Sequence, residues 1–207
     1  MGYLNAIGLK PTRKINWTEG GKTRQIDVTD ATVGGLKIAI LHTNTSRAGK
    51  LGPVKRMTVH WTGGDYTTGY DDYHFFGVWN RAKREAHIVK ALSIKTMGEH
   101  AFKANTGNVG LSLCGMAGAT RGNLGNYQIE PAFLRENAIF AAEFCAWHGL
   151  DPRTQLVDHQ QVDREIGRGA KWDIEPYWPE FHRQACEHFA LLKSNKAQFK
   201  YLDLIKE

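Results

Sequence analysis

Between Arg24 and Leu41 apolar and polar residues alternate through RQIDVTDATVGGLKIAIL, and the double glycine Gly34-Gly35 interrupts the run. That period predicts two strands joined by a turn. The same alternation returns in VKRMTVHWTGG, where Met57, Val59 and Trp61 alternate with Thr58 and His60 before Gly63-Gly64, so His60 falls at the end of a strand. YHFFGVWN, EAHIVKALS and NVGLSLCGMAG follow as further strands. From Glu130 the period changes. Pro131 suits a helix's first turn, and Leu134, Ala138, Ala141, Phe144 and Cys145 recur at helical spacing until Gly149. A short strand, Gln155 to Val157, runs into Asp158-His159, a loop is expected from there to Asp173, and a second helix is expected from Glu180 to Lys193.

Strands, helix, strand, helix is the order of an α/β domain, a central mixed β-sheet flanked by helices. Residues 51–207 are expected to form this domain. Residues 1–50 are expected to be an N-terminal extension, a hairpin packed on it, because so short a segment buries little core of its own. The chain shows no internal repeat, low-complexity tract or linker.

Composition narrows the picture. A length of 207 residues suits one core, and 42% hydrophobic with 23% charged residues is ordinary for a folded chain. No apolar run approaches the ~20 residues of a membrane span. The amino terminus lacks the apolar core of a secretory signal, which predicts synthesis in the cytoplasm. Ala6 stands where a myristoylation motif wants Ser or Thr. Cys114, Cys145 and Cys186 are odd in number and far apart, which argues against disulfides and against a cysteine-based zinc site. A net charge of +6 favours a polyanionic partner, whether wall polymer, nucleic acid or anionic membrane surface.

His60 and His159 each follow a short apolar strand, where side chains from separate strands converge. Two histidines and a carboxylate such as Asp173 leave the fourth position of tetrahedral zinc open, the pattern of catalytic rather than structural sites. Lys171, two residues before Asp173, leaves an extended loop on the same side and suits the stabilisation of an oxyanion. The competing reading makes the histidines ordinary hydrogen-bonded residues and Lys171 with Asp173 an exposed ion pair worth under about 1 kcal/mol. Trp61, Trp79 and Trp172 fit core or groove wall equally well.

MTVHWTGG with DDYHFFG, HAFKANTGNVGLSLCGM, LVDHQQVD and GAKWD, in this order, resemble the zinc-dependent N-acetylmuramoyl-L-alanine amidases of the amidase-2 and peptidoglycan-recognition-protein superfamily, above all the phage endolysins. The match spans residues 55 to 190. It implies one zinc per chain on His60, His159 and Asp173, with Lys171 and Tyr73 as catalytic residues. The run His100, Asn105, Gly110, Gly115 follows the family's H-x4-N-x4-G-x4-G pattern, which implies that His100 and Asn105 line the substrate groove. The loop GDYTTGYDD stands where many relatives insert a helix. The resemblance implies a peptidoglycan hydrolase, monomeric, released to the wall after synthesis as a phage lysis enzyme. A non-catalytic peptidoglycan-binding module of the same fold and a cytoplasmic muropeptide-recycling amidase stay open beside it. A nucleic-acid partner is not expected, since no recognition motif accompanies the charge.

Overall fold

The computed structural model describes residues 2–45 and 49–206. Residues 46–48, inside the expected N-terminal extension, and residue 207 lie outside the described residues. Among the described residues ten strands form two sheets. In chain order they are β1 (Gly2–Asn5), β2 (Arg13–Glu19), β3 (Lys22–Val33), β4 (Leu36–Leu41), β5 (Arg56–Trp61), β6 (Thr68–Tyr70), β7 (Phe75–Asn80), β8 (Glu85–Lys90), β9 (Asn108–Leu113) and β10 (Leu156–Asp158). Five helices accompany them: α1 (Pro131–Trp147), α2 (Pro152–Gln155), α3 (His159–Glu165), α4 (Trp178–Lys193) and α5 (Leu202–Ile205).

The larger sheet runs β1-β8-β7-β9-β5-β10 and is mixed: only β7 and β8 pair antiparallel. Its two faces are read off the strand alternation. Phe75 and Trp79 of β7, Ile88 of β8, Met57 and Val59 of β5, and Val109, Leu111 and Leu113 of β9 join the core that includes Phe133, Phe140 and Phe144 of α1. The intervening residues Phe76, Val78 and Val89 join a second core with Val33, Ile38 and Ile40 of the smaller sheet, β2-β3-β4-β6. Helices therefore cover one face and the small sheet covers part of the other. Thr58 and His60, on the same face as the small sheet, emerge toward the β5-β10 end.

The expected α/β architecture is present, with its turn at Gly34-Gly35 joining β3 to β4. Strand exchange ties the first fifty residues to the rest: β1 is an edge of the large sheet, paired with β8, and β6 from beyond residue 50 completes the small one. One stretch differs from expectation. The first half of the supposed loop after His159 is the helix α3, because the Asp158 side chain accepts the Gln161 N–H and caps it. The short strand also begins one residue later, at Leu156, since Gln155 closes α2. Helix α1 ends at Trp147, two residues before Gly149, whose φ of +69° is the left-handed conformation that glycine adopts freely.

Candidate metal centre

The β10 strand pairs with β5 only as far as Asp158 opposite Val59. The N–H of Trp61, beyond the end of that ladder, is taken instead by Asp173 Oδ1 at 2.7 Å. This bond fixes the carboxylate so that Oδ2 faces His60 Nδ1 at 3.3 Å and His159 Nδ1 at 2.9 Å, with the two Nδ1 atoms 3.1 Å apart. His60 comes from β5, His159 from the first turn of α3, and Asp173 from the loop before α4. All three are buried, and among the described residues they are the group of this kind whose donor atoms lie within 4.8 Å of one another.

The surrounding bonds decide which atoms carry protons. The Asn108 carbonyl can only accept, so His100 Nε2, 2.9 Å away, carries hydrogen and its Nδ1 carries a lone pair. His60 Nε2, 3.2 Å from that lone pair, then carries the hydrogen of its own ring, which leaves His60 Nδ1 bare and aimed at Asp173. On the other side, the buried Asp163 carboxylate stands 3.7 Å from His159 Nε2 and accepts the Lys171 N–H at 2.9 Å, favouring hydrogen on Nε2 and a free Nδ1. Two imidazole lone pairs and a carboxylate oxygen converge with no donor between them. That is the donor set of zinc, and it fits a cation.

Electrostatics agree. Burial pushes the His60 imidazole below its ordinary value despite the opposing pull of Asp173. At Asp173 burial acts upward, but the two adjacent imidazoles outweigh it and hold the carboxyl down at about 2. A neutral imidazole and an ionised carboxylate are the forms that bind metal. Burial, reinforced by Asp173 and Asp72, drives the Tyr73 phenol well up, so it stays a hydroxyl donor. Its ring lies 5.0 Å from that of His60.

Beside His159 opens a cavity of about 320 Å³ bounded by Glu99, His100, Phe102, Lys103, Asn105, His159, Arg168 and Lys171. Lys171 is exposed there and, among the described residues, makes no salt bridge with Asp173; the surface-pair reading does not hold. His100 borders the cavity but is buried behind His60, its ring seated over Gly110, where a Cβ would come within 2.7 Å of His100 Cγ. Asn105 also borders it, while its Oδ1 accepts the Ala101 N–H at 2.7 Å and closes the turn after His100. Of the tryptophans, Trp79 is core, whereas Trp61 and Trp172 are half-buried and meet edge to face at 4.9 Å. Sequence reasoning gave no role to Asp163 and Asn108, which lie inside the quoted stretches and stand 3.7 Å from His159 Nε2 and 2.9 Å from His100 Nε2. Gly110 stood in the motif without a role.

No family model matches the chain, and no curated protein does. Solved structures do. The Staphylococcus aureus hydrolase AmiA, solved in complex with its ligand, superposes with a TM-score of 0.52 at 15% identity, over 76% of this chain and 86% of that one. The catalytic domain of XlyA gives 0.47 at 17% identity over 70% and 98%, and a mutant endolysin from Bacillus subtilis 0.46 at 18% over 72% and 99%. The likeness to AmiA is one of fold: this chain has an amidase-like α/β architecture carrying a His/His/Asp cluster suited to a metal ion.

Proposed function

We propose that this chain is a zinc-dependent N-acetylmuramoyl-L-alanine amidase, which hydrolyses the amide between the lactyl group of N-acetylmuramic acid and L-alanine in peptidoglycan. The observation that carries the reading is the convergence of His60 Nδ1, His159 Nδ1 and Asp173 Oδ2 to within 3.3 Å of one another, with His159 on the wall of an open cavity. The motif resemblance and the AmiA-like fold support the substrate class.

A zinc ion held by these three residues would supply a water of lowered pKa and polarise the scissile carbonyl. The chain's own groups do the rest. Asp163 and His100 hold the two imidazoles in the ligating tautomer. Lys171, on the cavity wall beside His159, places a cation where negative charge develops on the carbonyl oxygen. Tyr73, its ring 5.0 Å from that of His60, supplies a hydroxyl donor. His100 and Asn105 wall the cavity that takes the substrate.

A non-catalytic binding module of this fold is the weaker reading, because it needs none of the three donors that are assembled here. The +6 charge suits an anionic wall without a nucleic-acid partner. We assign the enzyme to phage lysis, as a monomer released to the wall through a separate pore.

Digestion of outer-membrane-stripped sacculi tests the reading. The expected products are stem peptides with a free L-alanine amine and no new reducing sugar ends, with loss of turbidity, and chelation abolishes both. New reducing ends would make it a glycosidase. Activity confined to soluble anhydro-muropeptides would make it a recycling enzyme.

A further inference from the structure

Beyond the metal centre, one group of buried polar residues lies where β4 and β6 end. These strands run parallel, with Leu41 opposite Tyr70. Past that last pair the chains stay bound. The Asp71 N–H donates to the Leu41 carbonyl at 3.0 Å. Asp71 Oδ1 accepts the N–H groups of Thr43 and Asn44 at 2.8 and 2.9 Å, and Oδ2 meets His42 Nδ1 at 3.0 Å. The far nitrogen of His42 is 2.8 Å from Thr29 Oγ1 on β3, and Thr43 Oγ1 donates to Asp72 Oδ2 at 2.6 Å. Asp71, Thr43 and Asn44 are each 5% exposed or less.

Two residues further on stands Tyr73, and immediately after it the chain is fixed again. His74 Nδ1 accepts the Gly110 N–H at 3.0 Å, His74 Nε2 donates to the Thr96 carbonyl at 2.9 Å, and the His74 carbonyl accepts the Ala91 N–H at 2.9 Å. Tyr73 is thus held between two anchors, in a bend with no regular structure of its own. The second anchor belongs to the large sheet. The first is made with residues 29 to 44, on β3 and at the end of β4 and just beyond it.

We propose that the small N-terminal sheet positions Tyr73 over the metal centre, with Asp71 as the positioning residue that transmits it. Two backbone N–H groups and an imidazole on one carboxylate define the exit direction of the chain after β6. That direction places the Tyr73 ring 5.0 Å from His60 and 6.1 Å from His100. The inference rests on the role given to Tyr73 above, and it gives residues 1–50 a task in the reaction itself. A generic contribution to folding makes no such demand on one tyrosine.

The test is a double-mutant cycle of Asp71→Ala and Tyr73→Phe, with kcat and KM measured on a soluble muropeptide and zinc content measured for each variant. Y73F is expected to lower kcat roughly 100-fold. D71A is expected to lower it roughly 10- to 100-fold with KM and zinc content unchanged, since a displaced group remote from binding costs rate of that order. In the Y73F background D71A should cost nothing further. Equal factors in both backgrounds would make Asp71 a folding residue and overturn the proposal while leaving the role of Tyr73 intact. A wild-type rate for Y73F would remove that role and the proposal with it. If D71A does not fold, Asp71→Asn enters the same cycle: it keeps the size and one accepting oxygen, and a smaller but equally Tyr73-dependent loss is expected.

Discussion

Lys171 shows how much a single position owes to its surroundings. In the sequence it sits beside an aspartate with which it would pair on an exposed loop. In the structure Asp173 is turned inward by the Trp61 N–H, while the Lys171 backbone is held by Asp163 and its side chain stays at the cavity wall. The two charges therefore serve different objects. Lys171→Ala is expected to retain its zinc and lose about 100-fold or more in kcat, the usual effect of removing one oxyanion donor. Steady-state kinetics with metal analysis on the same sample checks this, and an unchanged rate would return Lys171 to the surface. The three ligand candidates were readable because His60 and His159 each follow a short apolar strand and Asp173 closes GAKWD, in motifs whose order is distinctive. The protons on His60 were not, because they depend on the Asn108 carbonyl and the His100 ring that the fold brings beneath it.

Among the strands and helices, those with long periodic runs were readable: β3, β4, β5, β7, β8, β9, α1 and α4 all answer to patterns in the sequence. Those that escaped are short or polar. The β1 strand has four residues and its partner β8 lies more than eighty positions away, and β6 has three residues inside a turn-rich loop. Helix α3 is capped by a single aspartate and reads as loop by composition. The β9 strand also carries a constraint that its periodicity does not reveal, since Gly110 leaves room for the His100 ring. Gly110→Ala keeps an ordinary backbone conformation but drives a Cβ into that ring. Displacing His100 releases the Nε2–H of His60, and zinc affinity is expected to fall roughly 10- to 100-fold, as for other supports of metal-bound histidines. Competition with a chromophoric chelator measures it, and unchanged affinity would show that His100 does not orient His60.

At the level of the complete molecule, two sheets that look like domain and appendage share strands across residue 50, and the site lies at one end of the larger sheet. The α/β architecture was readable because helical and strand periods occupy separate stretches of sequence. The interleaving was not, because it rests on three- and four-residue strands whose pairing is decided by burial between the sheets. The fold offers His60, His159 and Asp173 one shared focus, and the function proposed here depends on a metal at that focus. Its most direct test is the zinc content of purified wild-type protein beside Asp173→Ala. About one zinc per chain in the wild type, lost in the variant together with amide hydrolysis, is the expected result. Hydrolysis that continues at the full rate in metal-free wild-type protein would contradict it.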